Sequence, residues 1–235
     1  MMLSDVSQAP IVSYPWKDFS NSSHAVLQGW LQEFAPKTRV FDLGMGCGFV
    51  GDSGNSLGLV VDGCDQEIPE VPSSYHKVWS CDLNGPWLFM DQQYPVIVAA
   101  DILEHLLKPE EALQRIKSLL TPEGVLMVSL PNVAHLTVRG LLLWGQFPRM
   151  DRGILDKTHL HFYTLKTAQA LLEAAGFQIQ RLQAVPAPIQ LALPWTAHGL
   201  FAPLHQLHSL LVKAFPTLFG YQFLFWAVPR EACHG

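Results

Sequence analysis

Acidic residues lie at or near the ends of four apolar segments that are predicted to form β-strands. The segments TRVFDLG, LGLVVDGCD, YHKVWSCDL and YPVIVAADIL carry Asp42, Asp65, Asp82 and Asp101 at or near their ends. A single aspartate at a strand end usually caps a turn. Carboxylates at four strand ends of one sheet instead predict a binding site for hydroxyl, amino or cationic groups.

Three glycines follow the first of these acids. VFDLGMGCG places Gly44, Gly46 and Gly48 two residues apart, so the backbone can adopt positive φ and approach a ligand closely. The dinucleotide fingerprint GxGxxG would need glycine where Phe49 stands, and the phosphate loop GxxxxGK is absent. No Lys or Arg stands beside the loop to meet a pyrophosphate, whereas Asp42 favours a cation. The loop therefore predicts a nucleoside ligand without phosphate and disfavours a nicotinamide dehydrogenase.

Histidines supply groups that could accept a proton near neutral pH. His105 follows the fourth strand segment, His135 follows SLPN, and His159 lies in DKTHLHFYT. Each is a candidate catalytic base, and each could instead only pack against its neighbours. Polar residues around them are candidate contacts for a second ligand, namely Asn132, Arg139, Asp156, His161 and Tyr163. The alternative for residues 156–163 is a turn whose polar groups satisfy one another.

The elements that must position these residues alternate between strands and helices. Helical spacing of apolar residues predicts helices over 22–34, 108–124 and 165–177. Pro109 and Gly124 are the expected start and stop of the second helix, and Thr164 is the expected N-cap of the third. Further strands are expected over 125–132, 177–185 and 221–228. The alternation predicts an α/β fold with a doubly wound, mostly parallel sheet that binds ligands beyond the carboxyl ends of its strands.

Composition excludes several classes of protein. The 235 residues are 49% apolar and 15% charged, with a net charge of -5 and no basic run, so we expect no nucleic-acid partner. We expect no leader peptide and no transmembrane segment. The cysteines form no CxxC pair, which predicts reduced thiols and a cytoplasmic location. Cys47, Cys64 and Cys81 are spaced 17 residues apart, and we interpret that spacing as coincidence.

We expect a single domain over residues 1–235. Residues 12–35 predict an N-terminal helix and lid, with Trp16 and His24 near the site. Segments 133–163 and 185–217 interrupt the alternation and are interpreted as cap insertions. The apolar stretch 198–215 could cap a ligand pocket, form a homodimer interface or touch a membrane. It carries no basic face, which disfavours the membrane, and we favour the cap and then the homodimer.

The ordered motifs VFDLGMGCG, VDGCD, CDL, VIVAADILEHLLKP and TPEGVLMVSLPN resemble those of class I SAM-dependent methyltransferases. The similarity is closest to the small-molecule branch, including ubiquinone-biosynthesis-type O-methyltransferases and sugar-cluster-associated methyltransferases. It implies a Rossmann-like sheet of seven strands with an antiparallel last strand, and S-adenosylmethionine as cofactor. The first helix of the nucleotide half would be FVGDSGNSLG, whose three glycines predict a short or irregular helix.

The resemblance also implies roles for individual residues. Asp65 would take the ribose hydroxyls, Asp82 the adenine amino group, and Asp101 would lie under the sulfonium end. The full set of implied cofactor contacts is Asp42, Gly44, Met45, Gly46, Gly48, Asp65, Gln66, Asp82, Leu83, Asp101 and Ile102. Similarity to the ubiquinone-type enzymes suggests a divalent metal on Asp101, Glu104 and His105 as a minor alternative to a site without metal.

The sequence thus predicts an enzyme that transfers a methyl group from S-adenosylmethionine to a small-molecule acceptor. The expected target is a hydroxyl oxygen of a sugar, a quinol-like compound or a natural product. The alternative is a SAM-binding protein without transferase activity, acting as a sensor or assembly partner. The glycine-rich first helix favours that alternative, and the polar set 156–163 opposes it.

Overall fold

The computed structural model describes residues 22–68, 73–87, 91–188 and 202–230. Its strands are β1 Arg39–Leu43, β2 Val60–Asp65, β3 Lys77–Ser80, β4 Tyr94–Ala100, β5 Leu120–Pro131, β6 Phe177–Val185 and β7 Gln222–Pro229. They form one sheet in the order β3-β2-β1-β4-β5-β7-β6. β1 to β5 pair in parallel, and β7 runs antiparallel to β5 and β6. The predicted doubly wound, mostly parallel sheet with an antiparallel last strand is confirmed.

Helices cover both faces of this sheet. They are α1 Ser23–Leu31, α2 Phe49–Ser56, α3 Pro109–Leu119, α4 Leu136–Leu143, α5 Leu165–Ala174, α6 Ala202–Ala214 and α7 Pro216–Phe219, with a 3-10 turn at Leu103–His105. Thr164 caps α5 as predicted, because its hydroxyl accepts from the backbone N–H of Thr167. None of the helices within the described ranges combines the length and the hydropathy of a membrane-spanning segment.

Apolar residues of each central strand alternate between two core clusters. Phe41 of β1 belongs to the cluster under α3 and α5, and its neighbour Val40 belongs to the cluster under α1 and α2. Both are fully buried. Because both faces of the sheet are covered, the central strands are apolar throughout, and polar residues gather where the strands end.

α2 is short, as predicted, and the structure gives its glycines a packing role. A Cβ on Gly51 would overlap the ring of Tyr75, and a Cβ on Gly54 would overlap the side chain of Val61. Gly63 of β2 also lies under the Tyr75 ring, with a Cβ position 2.7 Å from it. The glycines that weaken the helical propensity of α2 therefore let it pack closely on β2.

The predicted end of the second helix at Gly124 is wrong. α3 ends at Leu119 and β5 begins at the next residue. Pro122 cannot continue a helix. Gly124 instead completes a tight turn within β5, where a Cβ would lie 2.9 Å from the carbonyl oxygen of Thr121. The pairing of β4 with β5 shifts register across this turn.

The predicted lid and caps lie partly outside the described residues. Trp16 is among the undescribed residues, as are positions 189–201. His24 is described, and its ring stacks on Phe49 at the start of α2, with 4.1 Å between the centroids. α6 exposes Leu204, Leu207 and Leu210. A homodimer through this C-terminal region stays a prediction.

Candidate active site

The glycine-rich loop joins β1 to α2 at the carboxyl edge of the sheet. Gly44, Gly46 and Gly48 have φ values of +76°, +49° and +85°, the left-handed conformation expected from the sequence. Two loop N–H groups, those of Gly44 and Met45, donate to the carbonyl of Cys64 at 2.9 and 3.1 Å. A Cβ on Gly46 would meet no atom within 4 Å. The loop therefore faces open space at Gly46.

The Asp65 carboxylate lies beside that open space at the end of β2. Its Oδ2 accepts from the Gly46 N–H at 2.8 Å, and its Oδ1 accepts from the Gln66 N–H at 2.7 Å. Asp65 is partly exposed and Gln66 is exposed. The carboxylate is thus held by main-chain donors at the rim of the loop, beside the open space at Gly46.

Asp82 and Leu83 follow β3, the next strand along the edge. Asp82 is exposed, and its Oδ1 accepts from the Asn84 N–H at 2.9 Å. The Leu83 carbonyl accepts from the indole nitrogen of Trp87 at 3.1 Å. These contacts fix the turn after β3 at the carboxyl edge. The buried thiols of Cys64 and Cys81 belong to the packed core.

Asp42 lies beneath the loop and is almost completely buried. The Tyr75 hydroxyl donates to its Oδ2 at 2.6 Å and accepts from the Gly51 N–H at 3.2 Å. Burial raises the pKa of Asp42 to about 7, while the hydrogen bond from Tyr75 limits the rise. Sequence reasoning missed Tyr75, because no local pattern links it to an acid 33 residues earlier.

Asp101 joins a hydrogen-bond network across three strands. The Ser129 hydroxyl of β5 donates to its Oδ1 at 2.8 Å. The Gln222 amide of β7 donates to the same Oδ1 and, at 3.1 Å, to the Ser129 hydroxyl. Asp101 has a φ of +56°, a strained conformation for a residue with a side chain. The network stabilises this backbone conformation at the end of β4. The side chain of the next residue, Ile102, packs over Gly44.

Two histidines from distant segments meet near the end of β4. The rings of His105 and His159 lie 4.7 Å apart between centroids. The Nδ1 of His159 lies 3.0 Å from the Ile154 carbonyl, and the Nδ1 of His105 lies 3.3 Å from the Thr158 carbonyl. Burial lowers the pKa of His159, and the nearby His105 lowers it further. The arrangement brings together two of the three predicted catalytic histidines.

A backbone contact holds this pair in place. The N–H groups of Leu160 and His161 donate to the carbonyl of Glu104 at 2.8 and 3.1 Å. Glu104, His105 and His159 each offer one potential ligand atom, and these atoms lie within 4.8 Å of one another. A carboxylate with two imidazoles could hold a divalent ion. This group contains His159 in place of the predicted Asp101, whose carboxylate contacts Ser129 and Gln222.

His135 has a different environment. It is buried, and its Nδ1 accepts from the Thr137 N–H at 3.3 Å, so it caps α4. Burial, together with the nearby His208, lowers its pKa to about 4. The Asn132 amide donates to the carbonyls of Thr217 and Gly220 at 3.0 and 2.7 Å. These two residues fasten the C-terminal region to the end of β5.

The other predicted acceptor contacts lie around the histidine pair or on α4. Asp156 is buried and its Oδ1 accepts from the N–H and hydroxyl of Thr158 at 2.8 and 2.7 Å. Arg139 is exposed and its Nε donates to the Ala134 carbonyl at 2.6 Å. His161 stacks on Tyr163, with 6.2 Å between ring centroids. The predicted residues 156–163 therefore form a compact polar segment.

Tyr163 differs from the rest of this segment. Its side chain is 8% exposed, and its hydroxyl has no hydrogen-bond partner among the described residues. Burial raises its pKa, and the charge of Glu104 raises it further. A buried hydroxyl without a partner costs free energy, so the position favours a ligand that supplies one.

Comparison with known proteins finds a matching family model and solved structures of similar fold. A family model described as a methyltransferase domain matches residues 21–182, more than two thirds of the chain. A search of curated protein sequences gave no match.

Several solved structures share the fold. A SAM-dependent methyltransferase from Mesorhizobium loti is 16% identical, with a TM-score of 0.57 over 89% of this chain and 99% of that chain. One from Archaeoglobus fulgidus is 17% identical, with a TM-score of 0.57 over 88% and 94%. The magnesium protoporphyrin IX methyltransferase of Synechocystis PCC 6803, with bound SAH, is 17% identical, with a TM-score of 0.56 over 89% and 82%. At these identities the similarity shows the fold.

Proposed function

The chain belongs to the family of methyltransferase domains, and we propose that it transfers a methyl group from S-adenosylmethionine to a hydroxyl oxygen of a small molecule. Sugars, quinol-like compounds and natural-product hydroxyls are the acceptor classes to test. The observation that carries the choice of oxygen is the pair of His105 with the buried His159, because a hydroxyl must lose its proton as the methyl group arrives.

The carboxyl edge of β1 to β4 fits the cofactor. When bound, S-adenosylmethionine supplies an electrophilic methyl group. The open space at Gly46 and the adjoining Asp65 carboxylate would receive the ribose, and Asp82 would receive the adenine amino group. Asp42 lies beneath the same loop, and its ionised form would favour a cationic group. We assign the remaining contacts to the other residues implied by the family pattern.

His159 is the proposed base. A carbonyl oxygen only accepts hydrogen bonds, so the Ile154 carbonyl fixes the proton of His159 on Nδ1 and leaves the Nε2 lone pair available. Burial lowers the pKa of His159, which favours the neutral ring. The Thr158 carbonyl orients His105 in the same way. His135 instead uses its Nδ1 to cap α4, which supports a structural role.

Tyr163 is the proposed acceptor contact with the most support. Its buried hydroxyl lacks a partner among the described residues and lies near enough to Glu104 to respond to its charge. An acceptor hydroxyl would satisfy it. His161, Asp156, Asn132 and Arg139 would shape the surroundings, since their described contacts are with the protein itself.

The experiment is a screen with S-adenosylmethionine labelled in its methyl group against sugar, phenol and catechol acceptors. For the acceptor found, His159→Ala should lower kcat about 10²- to 10³-fold, with affinity for the cofactor within about twofold of wild type. His135→Ala is the matched control and should lower stability by about 1 kcal/mol while keeping most of the activity. Labelling of nitrogen or carbon acceptors alone would overturn the choice of oxygen.

Two outcomes would change the assignment of the base. If His135→Ala abolishes turnover and His159→Ala does not, the two histidines exchange roles. If a chelator abolishes the activity and a divalent ion restores it, the group Glu104, His105 and His159 acts through a metal, which would lower the pKa of the acceptor hydroxyl.

A further inference from the structure

Large apolar side chains are exposed on α4 and on the loop that follows it. Every residue from 142 to 152 is exposed. Leu143 is 85% exposed and Trp144 is 82% exposed. We call residues 136–152 the α4 face. Its exposed large apolar residues are Leu136, Leu142, Leu143, Trp144, Phe147 and Met150.

Local structure explains why these side chains remain outside the core. α4 buries Val138 in a small cluster with Ile154 and Leu155. Gly145, with a φ of +69°, then ends the helix and turns the chain back. The opposite side of α4 is left to solvent although it is also apolar. A cluster of large exposed apolar side chains of this kind points to a docking surface.

Charge separates the α4 face from the rest of the chain. No acid occurs from residue 124 to residue 150, while Arg139 and Arg149 fall in that stretch. Residues 124–157 carry four basic and two acidic residues, a net charge of +2 in a chain of net charge -5. In α6, whose exposed leucines form the other apolar surface, Lys213 is the only Lys or Arg. The α4 face therefore combines exposed apolar residues with arginines, a combination that the C-terminal apolar region lacks.

An apolar surface flanked by arginines complements an anionic lipid surface. Tryptophan also suits the boundary between lipid headgroups and acyl chains, since its ring is both apolar and a hydrogen-bond donor. A symmetric contact with a second copy fits less well, because it would bring the basic groups of one α4 face against those of the other.

We propose that the α4 face binds reversibly to the surface of an anionic lipid bilayer. Leu143 and Trp144 provide the apolar contact, and Arg139 and Arg149 provide the electrostatic attraction. The inference goes beyond the proposed function and does not depend on it. Because α4 follows β5 at the carboxyl edge of the sheet, a bound protein would hold that edge near the membrane.

The test is sedimentation of the full chain with vesicles. Vesicles of phosphatidylcholine with about 30% phosphatidylglycerol should bind the protein at least about tenfold more strongly than phosphatidylcholine alone, and salt should weaken the binding. The double variant Leu143→Ser, Trp144→Ser should lower the partition coefficient about tenfold or more. Arg139→Gln should lower it about fivefold.

Matched controls change similar residues elsewhere. Leu107→Ser removes another leucine that is 67% exposed, and Lys77→Gln removes an exposed cation on β3. Both should bind vesicles as wild type does. Equal binding to the two vesicle types, or no binding, overturns the proposal. A dimer in analytical ultracentrifugation that the double variant dissociates, without vesicle binding, would assign the face to contacts between copies and also overturn it.

Discussion

The cofactor side and the acceptor side of the candidate site are built differently. On the cofactor side, a main-chain loop and a carboxylate 19 residues later, Gly46 and Asp65, are hydrogen-bonded to each other. On the acceptor side, the ring of His105 packs against that of His159, and the Nδ1 of His105 faces the carbonyl of Thr158, 53 residues later in the chain. The glycine loop and its carboxylate belong to motifs that are visible in the sequence, whereas the histidine pair exists only after the segment 156–163 has folded against the 3-10 turn.

The two sides also differ in whether their buried tyrosine hydroxyls have hydrogen-bond partners. The Tyr75 hydroxyl on the cofactor side both donates to Asp42 and accepts from Gly51. The Tyr163 hydroxyl on the acceptor side has no hydrogen-bond partner within the described part of the chain. The buried tyrosine hydroxyl of the cofactor side is therefore satisfied by the protein itself, whereas that of the proposed acceptor side is not satisfied by any described residue.

Asp42→Asn should have the largest effect on stability. The native carboxyl has a pKa of about 7, whereas an unfolded aspartate titrates near about 3.9. The native state therefore holds the proton to higher pH, and the free energy of unfolding falls as pH rises from about 4 to about 7, by on the order of 2 to 4 kcal/mol. Because asparagine does not titrate, the free energy of unfolding of the variant should not fall over this pH range. At pH 8 it should exceed that of wild type.

Urea denaturation of the unliganded protein between pH 5 and pH 8 measures this difference. Asp91→Asn, at an exposed position, is the matched control and should follow the wild-type pH dependence. An Asp42→Asn variant that is less stable than wild type at pH 8 would show that the buried carboxylate stabilises the loop in its charged form.

Gly51→Ala should have the next largest effect. The added methyl group would overlap the Tyr75 ring, and overpacking of this kind costs about 1 to 3 kcal/mol. Gly29→Ala is the control, because a Cβ there meets nothing within 4 Å and alanine favours the helix by about 1 kcal/mol. Thermal melts should thus shift in opposite directions. Equal shifts would contradict the packing role assigned to the α2 glycines.

Removal of the hydroxyl group should have different effects at Tyr75 and at Tyr163. Tyr75→Phe removes a satisfied buried hydroxyl and leaves Asp42 without its donor, which should cost about 1 to 2 kcal/mol. Tyr163→Phe removes an unsatisfied hydroxyl, so stability should be unchanged or slightly higher, while KM for the acceptor rises about tenfold. Destabilisation by Tyr163→Phe with an unchanged KM would show that its hydroxyl is structural.

The sequence predicted the parts of the fold that rest on short-range patterns. The strand end at Asp65, the strand ends within one residue of Asp42 and Asp101, the cap at Thr164 and the positive φ of the loop glycines each follow from neighbouring residues. Gly124 misled the prediction of the α3 end, because a glycine that ends a helix and one that forms a tight turn in a strand look alike in sequence.

Residues that act across the fold could not be predicted in this way. Tyr75, Ser129 and Gln222 contact the site acids from separate strands or loops, and no local spacing relates them to Asp42 or Asp101. The sequence also left His135 and His159 equivalent. Their hydrogen bonds distinguish them, because one ring nitrogen caps a helix and the other faces a carbonyl.

The most direct test of the central claim is isothermal titration of the full chain with S-adenosylmethionine and S-adenosylhomocysteine. Wild type should bind both in the micromolar range. Asp65→Ala should weaken binding about a hundredfold, because the carboxylate both receives the ribose and holds the Gly46 N–H. Glu67→Ala, an exposed acid in the same loop, should bind as wild type does. No binding of either ligand by wild type, or equal binding by Asp65→Ala, would contradict the account.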